Sequence, residues 1–347
     1  MSKRTVISIV SGKGGTGKTL LAAVLAEMLG NRGAATLVID MDIFVRGLTS
    51  LLYFHKKEAL RLISSEEICV SDFFVQKSRA NNPNLKLGIS RYRSFDVLPS
   101  VSHIDAMLNS SDIFPDTRQE AEEILDHILK RIPDDYDFVI LDNRAGYDEL
   151  IAATHTKSDM TIVVEEEDNI ARITADDLVE QLKDSVKTPL FRVTNKARNI
   201  VREKDLDRNS KGVTHLGTIP FDIDVMNSFG ASTFWRDISK TLYRVAVARV
   251  WNRLNQKMRL GYELPTKRVS PITPPSLEKY LLLLTLRDRV LFVYGILIAL
   301  LGFTVAYLGI DSLGQIALDE PIELWSILFG LAGFTLALWS TTRLGRR

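Results

Sequence analysis

The chain has a single cysteine, Cys69, in 347 residues. That excludes an intrachain disulfide framework and most cysteine-based metal sites. Cys69 stands in an apolar stretch and reads as a buried, unreactive thiol. The five histidines, His55, His103, His127, His155 and His215, are scattered, and no two have metal-ligand spacing. Excess charge is missing as well. Against 43 Asp and Glu stand 44 Lys and Arg, a net charge of +1 that gives no reason to expect a general nucleic-acid binder. No secretory leader opens the sequence: Met1–Arg4 run directly into an apolar stretch, so the N-terminal part is expected to be cytoplasmic. No periodic internal repeat is visible, and the length is ample for a large core plus a second module.

Charge is absent altogether from two C-terminal runs, Val290–Ile310 and Leu324–Thr341. Each is close to the ~20 residues that cross a bilayer core as a helix. The loop between them is acidic (Asp311, Asp319, Glu320), whereas the outer flanks carry Arg287 and Arg289 on one side and Arg343, Arg346 and Arg347 on the other. Cytoplasmic flanks are basic by the positive-inside rule. The expectation is a two-helix hairpin in the cytoplasmic (inner) membrane, with the large N-terminal domain and both termini cytoplasmic. The segment before it holds Pro265, Pro271, Pro274 and Pro275 and reads as a semi-extended tether. The expected division is that N-terminal domain over 1–260, a Pro-rich linker over 261–276 and a juxtamembrane helix over 277–289. Spans over 290–310 and 324–341 follow, joined by a non-cytoplasmic loop at 311–323, with a basic cytoplasmic tail at 342–347.

What the sequence does have is a phosphate loop. Gly12, Lys13, Gly14, Gly15, Thr16, Gly17, Lys18 and Thr19 fit Gly-x-x-x-x-Gly-Lys-Ser/Thr. The apolar run Thr5–Val10 precedes the loop and a helical pattern, Leu20–Leu29, follows it, which is the strand–loop–helix setting the motif requires. Glycines let backbone N–H groups curl around phosphate, and the helix N-terminus adds a positive dipole end. Lys18 is expected to reach the β- and γ-phosphates of ATP, and the Thr19 hydroxyl to ligate Mg²⁺.

Leu37–Ile39 form a short apolar strand ending in Asp40 and Asp42, and Phe138–Leu141 another ending in Asp142. Residues just past the C-terminal ends of parallel strands face the ligand crevice. Asp42 and Asp142 are therefore expected near Mg²⁺, Asp42 also positioning a water and Asp142 holding the ion through one. Four acids, Glu165, Glu166, Glu167 and Asp168, follow the strand Met160–Val164. Pointing inward together they would repel a nucleotide, so a solvated or partner-facing loop is expected.

The loop Lys-Gly-Gly-Thr-Gly-Lys-Thr beginning at Lys13 resembles the deviant Walker A loop of the MinD/ParA ATPases, within the SIMIBI class of P-loop proteins. The resemblance runs from about Lys3 to about Leu260 and is weakest between Leu52 and Arg93. It implies an α/β fold, a mostly parallel twisted sheet with helices on both faces, here followed by the helical hairpin. It implies that Lys13 crosses a homodimer interface to the partner's nucleotide and that Asp42 orients the attacking water. Asn195, after the strand Leu190–Thr194, matches the asparagine that reads the adenine edge. Pro220 and Phe221, in Gly-Thr-Ile-Pro-Phe-Asp, match the segment that packs on the base. Gly146 resembles the switch glycine that senses the γ-phosphate. Asn143 and Arg144 depart from the family pattern; solvent or a partner is the favoured contact for Arg144.

The expected function is an ATP hydrolase, slow and stimulated by a partner. It would act as a dimerisation switch that recruits, positions or regulates a protein at the membrane. Two alternatives remain: a phosphotransferase like the bacterial tyrosine kinases, and a non-hydrolysing ATP-binding scaffold. The kinase family carries its hairpin before the catalytic domain and a tyrosine cluster at the C-terminus, whereas Thr341–Arg347 has no tyrosine. Arg244, Arg249, Arg253 and Lys257, on an expected helix from Ile238 to Met258, read as a solvated basic face or as a lipid or DNA contact. A spanning anchor makes a nucleic-acid partner awkward.

Overall fold

The computed structural model of the chain describes residues 4–55, 64, 66–102, 115–183, 188–198, 213–229, 231, 233–266, 293–301, 331, 332 and 335. The elements run β1 (Thr5–Ser11), α1 (Lys18–Gly30), β2 (Thr36–Asp40), α2 (Gly47–His55), β3 (Glu67–Ile68), α3 (Val70–Val75), α4 (Lys77–Ala80), β4 (Lys86–Leu87), β5 (Ser90–Tyr92) and β6 (Phe95–Leu98). Then come α5 (Arg118–Arg131), β7 (Phe138–Ala145), α6 (Glu149–Lys157), β8 (Met160–Glu166), α7 (Asn169–Lys183), β9 (Leu190–Ala197), β10 (Thr214–Pro220), α8 (Ile223–Ser228), α9 (Phe234–Ile238) and α10 (Leu242–Met258).

Eight strands form one sheet in the order β10-β9-β8-β1-β7-β2-β6-β5. Every pairing is parallel except the edge pair β5–β6. A parallel sheet covered on both faces needs strands that are largely apolar. β1, β2 and β7 meet that need up to their C-terminal ends, Ser8 apart, and alternate residues supply opposite faces. Val38 and Ile140 join α1 and α10 in one core; Leu37, Ile39, Val139 and Leu141 join α5 in another. α5 starts where Thr117 accepts a hydrogen bond from Glu120 N–H, and its buried face is Ala121, Ile124, Leu125, Ile128 and Leu129.

β1 lies between β8 and β7, and the chain leaves it towards β2, beyond β7. The C-terminal end of β1 is therefore where crossovers part to either side, the place where open α/β sheets bind ligands.

The doubly wound parallel architecture agrees with the expectation from sequence. Boundaries differ in informative ways. The helix expected at Thr174 begins at Asn169, and the acidic stretch before it extends β8 through Glu166. The helix expected from Ile238 is two helices, α9 and α10, and α10 starts at a Thr241 cap that accepts from Arg244 N–H. The linker does not begin at residue 261. Trp251 Nε1 donates to the Tyr262 carbonyl at 2.6 Å, Asn252 exchanges bonds with Leu264, and Leu264 is buried. By compactness the chain divides into Met1–Pro271 and Ile272–Arg347.

Of the second unit, residues 293–301 are helical. Among the described residues no helix is long and apolar enough to cross a membrane. Most of both expected spans, the loop between them, the juxtamembrane helix and the tail lie outside the described residues.

Candidate functional site

A cavity of about 640 Å³ opens at the C-terminal ends of β1, β7 and β9, a size typical of small-ligand sites. Gly14, Gly15, Gly17, Lys18 and Thr19 line one side, with Asp42 and Asn143 beside them; Asn195, Pro220 and Phe221 line the other. The structure thus gathers most of the residues expected on the phosphates and those expected on the base around one volume; Gly12, Lys13, Thr16 and Asp142 are not part of its lining. Gly12 stands apart from the lining for a packing reason: a Cβ there would collide with the Thr174 carbonyl of α7.

The loop's conformation depends on particular glycines. Gly17 has φ +90° and caps α1, and Gly15 has φ +79°. A Cβ on Gly17 would also land on the Asn195 carboxamide, whose Nδ2 donates to the Thr16 carbonyl at 2.8 Å. The loop and β9 are therefore in direct contact. Lys18 is buried, and its Nζ donates to Ser11 Oγ at 2.8 Å, while Ser11 Oγ donates to the Lys13 carbonyl at 2.7 Å. Burial lowers the Lys18 pKa, and the nearby Asp142 carboxylate opposes the shift.

Two acids, Asp42 and Asp142, were expected near the ion; with Asp40 they form a group of three whose tasks differ. Asp40 is fully buried and accepts from Thr49 N–H at 2.8 Å, Thr49 Oγ1 at 2.6 Å and Asp42 N–H at 3.2 Å. It ties the loop after β2 to α2. Asp42 lines the cavity, and its Oδ1 also accepts from Val45 N–H at 3.0 Å. Asp142 is buried, is hydrogen-bonded by Thr19, and has no partner for Oδ1. Desolvation pushes Asp142 up to about 8 and Asp40 up to about 6.

A buried carboxylate oxygen without a partner, beside a phosphate-loop threonine, fits a hard divalent cation. Among the described residues no group of three or more His, Cys, Asp or Glu could hold a metal by itself. The fit is therefore to an ion completed by nucleotide phosphate oxygens and water, with Thr19 and Asp142 as the protein side.

Asn143 is buried, and its Nδ2 donates to Ser8 Oγ, the Ile9 carbonyl and the Leu141 carbonyl, so it staples β7 to β1. Arg144 was expected in solvent or on a partner. Instead it lines the cavity and pairs with Asp148, the N-cap of α6, at 2.7 Å.

The acidic run requires the largest correction. It is not a solvated loop. Glu165 is buried against Arg192, at 3.3 Å, and accepts from Thr194 Oγ1 at 3.0 Å. Glu166 bridges two lysines, Lys13 at 3.1 Å and Lys196 at 2.7 Å. Asp168 accepts from Lys13 Nζ at 2.8 Å and from Ala171 N–H, which caps α7. The Lys13 partnership holds Asp168 at about 2, and Asp168 followed by Glu166 raises Lys13. Basic side chains are thus interleaved with Glu165, Glu166 and Asp168, while the exposed Glu167 accepts from the Arg198 N–H at 2.6 Å.

The basic face expected on α10 is half occupied: Arg249 and Lys257 are exposed, whereas the other two residues have partners. Arg244 pairs with the buried Glu27 of α1 at 2.7 Å, and Arg253 donates to the Leu216 carbonyl at 2.7 Å. Several lining residues escaped the sequence reading, Lys196 and Tyr243 among them. Lys196 has φ +52° and its Nζ donates to the Gly15 carbonyl; its place directly after Asn195 was the available signal. Tyr243 is buried on α10 and had no local signal, because only the packing of α10 brings it to the cavity.

Strand, glycine loop, helix and two strand-end acids together define a P-loop nucleotide-binding protein. The family model AAA_31, an AAA domain, matches residues 4–195, and the chain belongs to that family. It is 30% identical over 161 residues to the uncharacterized ATP-binding protein MJ0169 of Methanocaldococcus jannaschii, covering 46% of this chain and 52% of that protein. It is 27% identical over 143 residues to the septum site-determining protein MinD of Escherichia coli, covering 41% and 45%. The chain thus spans about half the length of each of these two relatives. Pyrococcus horikoshii MinD complexed with Mg-ADP superposes with a TM-score of 0.55 at 20% identity, covering 75% of this chain and all of that one. A putative plasmid partition protein of Borrelia burgdorferi bound to AMPPNP gives 0.55 at 21%, covering 74% of this chain and 100% of the other. These likenesses share the fold.

Proposed function

We propose that the chain is a membrane-anchored ATPase switch. Mg-ATP in the cavity joins two copies face to face, and hydrolysis separates them or changes the surface that a partner protein reads. The observation that carries this reading is the convergence of Lys18, Thr19 and Asp42 on one cavity, with the buried Asp142, hydrogen-bonded by Thr19 and unpartnered at Oδ1, directly behind Thr19. Lys18 leaves Ser11 for the β- and γ-phosphates. Thr19 and Asp142 hold Mg²⁺, which neutralises charge building on the phosphates. Asp42 orients the water that attacks the γ-phosphate. Asn195, Pro220 and Phe221 take the base. Lys13 reaches the partner's nucleotide once it is free to do so.

The two charge-free C-terminal runs support an integral anchor at the cytoplasmic membrane, with the nucleotide domain on the cytoplasmic side. Two spanning helices do not leave a bilayer, so the switch acts by pairing, clustering or recruitment.

The test uses the full chain in mild detergent. Its molar mass is measured by light scattering with Mg-ADP, then with Mg-ATP in an Asp42→Ala background. A dimer with ATP alone, abolished by Lys13→Ala, supports the switch. A monomer in both states with nucleotide bound refutes it. Turnover lost in Lys18→Ala excludes a non-hydrolysing scaffold. Retention of the chain in membranes washed at alkaline pH checks the anchor, and release would refute it.

A further inference from the structure

Lys13 is not free in the single subunit. Its Nζ lies 2.8 Å from Asp168 Oδ2 and 3.1 Å from Glu166 Oε2, so two carboxylates of its own chain share one ammonium group. An ammonium has three donors and no acceptor, and two of those donors are engaged by carboxylates of the same chain. The hold is also wired to the nucleotide site. Glu166 Oε1 is 2.7 Å from Lys196 Nζ, and Lys196 lines the cavity and bonds the Gly15 carbonyl of the phosphate loop.

We propose that Glu166 and Asp168 are positioning residues that latch Lys13 in its own subunit and so set the threshold for ATP-dependent pairing. The inference rests on the reading of Lys13 as the residue that crosses between subunits. A lysine cannot keep both carboxylates and also reach a neighbour's phosphates. Pairing therefore requires an exchange of partners, and the free energy of the cis contacts opposes it. Both contacts are partly solvated, with side-chain exposures of 30% for Lys13, 18% for Glu166 and 46% for Asp168. Exposed ion pairs are individually weak, so phosphate charge is able to win the exchange and the latch stays reversible. A γ-phosphate near the loop repels Glu166 and Asp168 and attracts Lys13, which moves all three in the opening direction.

The test compares the full chain with Glu166→Gln/Asp168→Asn. Both changes keep shape and remove charge, and Asn remains a good cap for α7. Two measurements separate the steps. Amine acylation of Lys13, followed by peptide mass spectrometry in the Mg-ADP state, reads the latch without any need for pairing. The dimer dissociation constant with Mg-ATP, in an Asp42→Ala background, reads its consequence. The double variant is expected to acylate Lys13 several-fold faster and to pair about three- to tenfold more tightly. Unchanged acylation overturns the latch. Faster acylation with equal or weaker pairing overturns its role as a threshold. If wild type and variant both stay monomeric with nucleotide bound, the reading of Lys13 as a crossing residue fails, and this inference with it.

Discussion

Asp40 and Asp142 are register partners across β2 and β7, and both carboxylates are buried. Two acids side by side in a dry sheet are stable only when a proton or a cation is shared between them. Thr49 and the Asp42 N–H satisfy Asp40, which leaves Asp142 as the acid that awaits the cation.

This pair predicts a pH dependence of stability. In the metal-free chain both folded pKa values are raised, Asp142 to about 8 and Asp40 to about 6, above the unfolded value of 3.8. The folded state binds more protons, so the stabilisation is complete below pH ~4 and is lost as pH rises through ~8. The melting temperature without metal should fall between pH 5 and 8, and Asp142→Asn should flatten that slope. Mg-nucleotide binding near neutral pH should release protons, read by calorimetry in buffers of different ionisation enthalpy.

Gly17→Ala meets both a φ of +90° and the Asn195 carboxamide. The backbone term alone costs about 1–3 kcal/mol, and the collision pushes the loop away from β9. Gly14→Ala has open space and no positive φ. Thermal melts and ATP titrations of the two variants should separate them, with Gly17→Ala losing both stability and affinity and Gly14→Ala retaining its fold.

Asp42→Asn should leave nucleotide affinity within a few-fold of wild type and lower turnover by about 10²-fold or more, the usual scale for a positioned acid–base group. Single-turnover hydrolysis beside equilibrium binding checks the split. Equal losses in both would show that Asp42 serves only as the turn acceptor for Val45.

Arg192→Ala should be the most damaging change far from the phosphates. Arg192 is buried between Glu165, at 3.3 Å, and Asp176, at 2.6 Å. Breaking such a pair leaves a buried charge unmatched, at a cost of about 3–5 kcal/mol. Chemical denaturation should show it as a lower midpoint with an unchanged slope.

Ile170 and Ile173 are exposed one turn apart on α7, just beyond the Lys13–Asp168 contact. If two copies meet at this face, Ile170→Asp/Ile173→Asp should abolish ATP-dependent pairing while leaving the melting temperature within a few degrees. Pairing retained in that variant would move the interface elsewhere.

The parallel sheet was legible because strands buried on both faces need near-continuous apolar runs, and Val139–Leu141, Ile162–Val164 and Ile7–Val10, broken only by Ser8, supply them. The phosphate loop was legible because its chemistry is local: Gly17, Lys18 and Thr19 are adjacent in sequence. The acidic run misled because charge was read along one strand, whereas its neutralisation comes from Lys13, Arg192 and Lys196, residues distant in sequence or on another strand. Tyr243 and Arg244 were misread or missed for the same reason: their partners depend on where α10 packs.

The pairing of Glu27 with Arg244 has a mechanical side. Lys18 and Glu27 stand on one helix, about 13 Å apart along its axis, and Glu27 is clasped by Arg244 of α10 at 2.7 Å. A helix of that length moves as a rod, so a tilt imposed where Lys18 meets phosphate reappears as a displacement at Arg244. α10 is the last described helix of the first unit. A nucleotide held at Lys18 would thus be felt at α10 as a push along one strut and across one ionic joint, with no loop needing to refold.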